Sequence, residues 1–264
     1  MIIKRTDSKQ EEIAELTALL QGKLFPYQQF LIERELKAIR SGVSGEKDSA
    51  YYIDFYFGNS RNWAVIHDIR LEHKGQVAQI DHLLINRMFD IYVLESKNYS
   101  YKLKISPEGE FQVYYGKEYI GIPSPIEQNK RHVHLLDLFL KYRDILPKRM
   151  GISIRARFKD LVLVSPKCII SRPLEKKFDT SSVIKADTLR TKIDREVDKW
   201  RNPVTDFAAL TKVCSSSTLE ATARRLARFH KPLKVDFRAK FGLSVQKDPP
   251  KGKSPRDVVK LFKK

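Results

Sequence analysis

Glu46, Asp81, Glu95 and Lys97 have the residue types and the spacing for metal-assisted hydrolysis. Asp81 ends the run QVAQID, and Glu95 and Lys97 sit in IYVLESKNYS. Both runs read as strands. Residues two apart in a strand point to one face, so Glu95 and Lys97 project together while Ser96 points away. Carboxylates beside an ammonium can hold a divalent ion and position the water it activates. Phosphodiester hydrolysis asks for this set. Negative charge builds on the phosphoryl oxygens, and hard cations held by carboxylates neutralise it.

The elements around these residues must bring them together. Strands over 77–86 and 90–97 flank Arg87, Met88 and Phe89. If those three residues form the loop, Asn86 faces Asp90 and Asp81 lies across from Glu95, with Cβ atoms roughly 4.5–5.5 Å apart. Two carboxylates that close repel unless a cation or a proton sits between them. A loop one residue longer or shorter would place them on opposite faces. A Glu-x-Lys pair on its own is commonly a salt bridge on an exposed sheet. Here apolar residues flank it on both strands, which argues for a buried sheet, where an unpaired charge is costly.

The rest of the chain reads as a mixed α/β pattern. Segment 8–22 is an amphipathic helix with Ser8 as cap, Glu11 in capping-box position and Gly22 as stop. Pro26 opens a second helix that ends near Gly42, and a third begins at SGEKDSAYY with Glu46 in its first turn. Strands follow at 63–72, 76–86 and 90–97, with weaker ones near 101–105, 110–115 and 117–122. A helix starts at Pro125, and the continuous apolar run at 158–165 suits a buried strand. SSVIK adds a short strand. ADTLRTKIDREVDKW and STLEATARRLARFH are helices, and beyond Pro232 the chain is basic and weakly patterned. This order predicts an α/β domain with a mixed sheet. Tyr51, Tyr52, Phe55 and Tyr56 read as core and helix-face aromatics rather than base-stacking platforms.

At 264 residues and 42% hydrophobic content, the chain can bury one good core and a smaller appendage. Cys168 and Cys214 lie far apart and form no CxxC, which excludes a cysteine zinc knuckle. With no signal peptide and no apolar run of about 18 residues, the expectation is a soluble, cytoplasmic protein without a membrane partner. None of the six histidines forms an HExxH, and each reads as structural or surface. No GxSxG elbow and no phosphate-binding glycine loop occur. The net charge of +18 is uneven: from Ala221 to Lys264, fourteen Lys or Arg stand against three Asp. Such a tail attracts polyanions, nucleic acid first among them. Arg224, Arg225, Arg228 and Lys231 are the candidate phosphate contacts. Their plainer role is to complement a helix dipole.

The runs SGVSGEKDSAYY, IHDIRLEHKGQVAQIDHLLINRMFDIYVLESKNYS and PIEQNKRHV resemble the nuclease-related domain (NERD) family, within the PD-(D/E)xK nuclease superfamily. The resemblance covers roughly 30–165 and implies a restriction-endonuclease-like mixed β-sheet core flanked by helices. With the helix pattern and the basic tail, the chain reads as a helical N-terminal extension over 1–29, a NERD-like nuclease domain over 30–200 and a helical, basic C-terminal extension over 201–264. The family's Gly-x-x-Gly-Glu falls on Gly42, Gly45 and Glu46, its aspartate on Asp81, its Glu-x-Lys on Glu95 and Lys97, and its glutamine on Gln128. By this resemblance Asp81, Glu95 and the main-chain carbonyl of Ser96 would bind Mg²⁺ or Mn²⁺. Glu46 would be an outer ligand or hold a metal-bound water, Lys97 would orient or activate water, and Gln128 would support Lys97 or contact a phosphate. Ser96 departs from the family, where an aliphatic residue is usual, and so does Ser100, where a glycine commonly follows. The implied function is a metal-dependent nuclease, with DNA expected over RNA and a homodimer allowed for cutting both strands. Two rivals are a nucleic-acid-binding module with an inactive nuclease-like site, and a phosphodiesterase acting on a small nucleotide.

Overall fold

Alternating apolar residues on neighbouring strands make the central sheet. The structure, a computed structural model, describes residues 1–99, 101–149, 151–199 and 213–243. It divides into two units. One comprises Met1–Thr6 and Gly45–Pro232, and the other Asp7–Ser44 with the described residues from Leu233 onward.

In the first unit, β1 (Ile2–Lys4), β2 (Trp63–His73), β3 (Gln76–Asn86), β4 (Asp90–Lys97), β10 (Arg157–Val164) and β12 (Val183–Lys185) form a sheet in the order β1-β2-β3-β4-β10-β12. β2, β3 and β4 are antiparallel, whereas β1, β10 and β12 join in parallel, so the sheet is mixed. A second sheet contains β5 (Lys102–Ile105), β6 (Phe111–Tyr115), β7 (Glu118–Ile122) and β11 (Ile169–Ser171). A two-stranded ribbon joins β8 (Lys148–Arg149) to β9 (Ile152–Ser153).

Helices cover both faces of the main sheet. On one face, Leu83, Ile85, Ile91 and Val93 pack with Leu136 and Phe139 of α3 (Pro125–Tyr142) and with Leu219 and Leu226 of a helix over Ser216–Ala227. On the other, Val65, Leu84 and Leu94 pack with Ile53 and Phe57 of α2 (Pro26–Phe57) and with Leu189 and Ile193 of α4 (Leu189–Lys199). β10 is buried on both sides, with Leu161 and Leu163 in this second cluster and Val162 and Val164 in a third. That explains its unbroken apolar run.

Two expectations fail at α2. The helices expected to end near Gly42 and to restart afterwards are one helix, Pro26–Phe57. A glycine inside a helix costs only about 1 kcal/mol relative to alanine, which packing overrides. Three aromatic residues of its last turns are also not core: Tyr51 is 64% and Phe55 71% exposed, and Tyr56 is exposed too. Ile53 and Phe57 of that stretch are buried in the cluster against the sheet, and Tyr52 packs partly buried beside them. α1 (Gln10–Leu19) starts two residues later than predicted, with Lys9 rather than Ser8 at its N-cap and no side-chain cap.

The second unit has its own small core, in which Leu16, Leu19, Ile32 and Leu36 pack with Phe237 and Phe241. The residues after Pro232 therefore hold more pattern than predicted. Asp236 caps a short helix over Phe237–Lys240, and Gln28 donates to the Phe241 carbonyl at 3.1 Å. Among the described residues no helix is long and apolar enough to cross a membrane.

β2 and β3 change faces together at one place. The pairs His67–His82 and Ile69–Ile80 flank it, and Asp68 and Asp81 between them are unpaired in the ladder. Asp68 has φ +51°, in the left-handed region that aspartate tolerates better than most residues. Consequently Ala64 and Ile66, and then Ile69 and Leu71, all reach the same cluster although their numbering changes parity.

Candidate active site

The β3–β4 hairpin has the predicted register. Ile85 faces Ile91 and the last ladder pair is His82 with Leu94, so Asp81 is one step further along the same alignment as Glu95. Where backbone pairing stops, a side chain takes over: Ser96 N–H donates to Asp81 Oδ2 at 2.7 Å. Glu95 and Lys97 project to the α3 face, as alternation requires. Across the parallel ladder Val162 and Val164 stand beside them.

α3 is seated by two features. Ser124 caps it by accepting from Glu127 N–H, with Pro125 in the first turn. Asn129, fully buried, donates to the carbonyls of Val93 and Leu161 at 2.9 and 3.0 Å and so ties the helix to β4 and β10. Gln128 and His132, one turn apart, then both reach Glu95. Gln128 Nε2 donates to Glu95 Oε1 at 2.7 Å, and Lys97 Nζ lies 2.7 Å from that same oxygen. Lys97 also donates to Gln128 Oε1 at 3.1 Å. His132 Nδ1 stands 3.5 Å from Glu95 Oε2, and both atoms are buried without a hydrogen-bond partner.

α2 brings Glu46 to the same cluster. A Cβ on Gly45 would lie 2.6 Å from the Asn98 Cβ, so glycine is what permits the helix to approach the end of β4 this closely. Glu46 is close enough for its charge to act on Asp81. Burial, then the charges of Glu95 and Glu46, push the Asp81 carboxyl well above its ordinary value. Glu95 moves the other way: burial would raise it, but His132 and the Lys97 ammonium outweigh burial and hold it low. The two carboxyls are thus pushed in opposite directions, Asp81 up and Glu95 down.

Glu46, Asp81, Glu95, Ser96, Lys97 and Gln128 are thus assembled at one end of the sheet. Arg224, Arg225 and Arg228 lie on α5 (Ser216–Ala227) and its C-cap. Arg224 pairs with Glu220, and Arg225 donates to the carbonyls of Arg143 and Asp144. Lys231, beyond the helix, pairs with Glu72, while Arg228 is exposed. Residues 201–212 and 244–264 of the basic extension lie outside the described residues.

His132, Asn129 and Asp68 are additions that sequence reasoning missed. His132 falls four residues after Gln128, the spacing that shares a helix face. Asp68 leaves a trace in apolar spacing: Ile66 to Ile69 and Ile80 to Leu83 step by three where a strand steps by two.

A mixed sheet flanked by helices, with Asp81 midway along β3 and Glu95 and Lys97 at the end of the neighbouring β4, defines a nuclease-like α/β protein. Residues 41–165 match the family model described as nuclease-related domain. No curated protein and no solved structure matches the chain.

Proposed function

We propose that the protein is a metal-dependent nuclease that hydrolyses phosphodiester bonds, with DNA as the favoured substrate. The observation that carries this reading is the convergence of Asp81, Glu95 and Lys97, from two neighbouring strands, with Glu46 and Gln128 from two helices. The donor set fits Mg²⁺ or Mn²⁺. Glu95 Oε2 is a buried anionic oxygen with no hydrogen bond, and burial and the charges of Glu95 and Glu46 push the Asp81 carboxyl up. A divalent cation would relieve both. Among the described residues no group of three or more His, Cys, Asp or Glu side chains is arranged to hold a metal. The protein ligands would be Asp81, Glu95 and the Ser96 carbonyl, few enough to suit an ion that keeps much of its coordination for water and substrate. Once bound, the ion would supply positive charge against the phosphoryl oxygens.

The chain's own residues do the rest. Lys97 is 25% exposed at its side chain and carries mobile protons next to Glu95. It can orient a water and hand a proton to the leaving oxygen. Gln128, holding both Lys97 and Glu95, keeps the ammonium aimed. Proton-transfer groups contribute about 10²–10⁴-fold to rate. Lys97→Ala should therefore lower cutting of plasmid DNA in Mn²⁺ by at least about 100-fold, with the circular dichroism spectrum unchanged. A folded variant that cuts at the wild-type rate would show that the site is wrongly assigned. Metal-independent binding without cutting by the wild type would favour a nucleic-acid-binding module.

A further inference from the structure

On the sheet face opposite Glu95 and Lys97, four side chains from four elements form a single hydrogen-bonded chain. Ser96 Oγ of β4 lies 3.0 Å from His82 Nε2 of β3. His82 Nδ1 lies 2.7 Å from His67 Nδ1 of β2. His67 Nε2 lies 2.9 Å from Asp54 Oδ1 of α2. Both imidazoles are buried, and the Asp54 side chain, 30% exposed, ends the chain at the surface with Arg5 at 3.5 Å.

The direction of every hydrogen bond follows from its end. A carboxylate only accepts, so His67 carries its proton on Nε2. Its Nδ1 then accepts, so the proton between the two rings belongs to His82 Nδ1. His82 Nε2 is left as an acceptor and takes the Ser96 hydroxyl proton. Burial lowers the basicity of both rings, which favours the neutral form, although the Asp54 carboxylate acts the other way on His67.

The chain ends on a peptide that the candidate site uses. Ser96 donates its N–H to Asp81 on one side of the strand and its hydroxyl to His82 on the other. Asp81 and His82 are consecutive, so the two residues grip Ser96 from both faces. They do so just beyond the last β3–β4 ladder pair, so these side chains hold Ser96 on the β3 side while its other edge stays in the β4–β10 ladder opposite Leu163. We infer that Asp54, His67 and His82 are positioning residues that fix the Ser96 peptide, and through it the Asp81 carboxylate and the Ser96 carbonyl, for cation binding. This inference rests on the metal-dependent reading of the site.

The test changes the remote end. Asp54→Ala removes the terminal acceptor and lets the chain reverse, so that Ser96 receives a hydrogen bond instead of donating one. Asp54→Asn can keep an acceptor oxygen in place. Imidazole ¹⁵N spectra of the metal-free proteins report the tautomers, electron paramagnetic resonance reports Mn²⁺ affinity, and denaturation midpoints report folding. We expect Nε2–H on His67 and Nδ1–H on His82 in the wild type. Partners that orient metal ligands are typically worth 10–100-fold in affinity, so Asp54→Ala should lose this pattern and bind Mn²⁺ about tenfold more weakly. Asp54→Asn should retain the pattern and bind within about threefold of the wild type. A wild type with the opposite tautomers overturns the inference. So does Asp54→Ala binding Mn²⁺ like the wild type, and in that case the nuclease reading survives. A wild type that binds no Mn²⁺ removes both.

Discussion

At the scale of single residues, the site is a problem in charge. Three carboxylates approach one another with one ammonium among them, and burial strengthens each interaction. Glu95 stays ionised because Lys97 and His132 face it. Removing His132 takes away one of the two influences that outweigh burial, so the Glu95 carboxyl should rise. A carboxylate that must be ionised to work then protonates earlier as pH falls. His132→Ala should accordingly move the acid limb of the kcat/KM profile, measured in Mn²⁺, to higher pH. An unmoved acid limb would mean that His132 does not act on Glu95.

At the scale of elements, the glycines of α2 separate helix propensity from packing. A Cβ on Gly42 would meet nothing within 4 Å. Gly42→Ala should therefore stabilise the protein by about 1 kcal/mol, the helix-propensity difference. A Cβ on Gly45 would strike Asn98 at 2.6 Å, so something must shift. Gly45→Ala should destabilise by about 1–3 kcal/mol, the usual cost of overpacking, and should displace Glu46 from Asp81. Urea denaturation of the two variants reads the opposite signs directly, and two stabilising results would contradict the close approach of α2 to β4. The remaining anchors are also side chains that replace regular structure: Asn129 bonds two strand carbonyls, and Asp81 takes the Ser96 N–H that the ladder leaves.

At the scale of the whole molecule, a net charge of +18 dominates how the protein meets a polyanion. Much of it lies after Ala221, and in the described part several of those cations are already engaged within the fold, as with Arg224, Arg225 and Lys231. Phosphate neutralisation releases counterions, so the logarithm of affinity for a DNA duplex should fall linearly with the logarithm of salt concentration. Glutamate in place of the exposed Arg228 should make that slope shallower by about one phosphate contact if α5 touches the backbone. An unchanged slope, read by fluorescence anisotropy, would place the contact elsewhere.

The strands and the hairpin register were legible in the amino-acid order because alternation and a three-residue loop are local rules. Those rules put Glu95 and Lys97 on one face and aligned Asp81 with Glu95 before any packing was considered. The resemblance to the nuclease-related domain family added Gln128 to the candidate Glu46. Packing decided the rest. The single α2 helix through Gly42 and Gly45, the exposure of Tyr51 and Phe55, and the turn of His132 onto Glu95 all depend on which helix lies against which strand. So does the chain from Asp54 to Ser96, whose members lie on four elements and are brought together only when the sheet closes under α2. No window of the sequence holds that information, because hydrogen bonds between residues distant in the chain are set by where the core places their backbones.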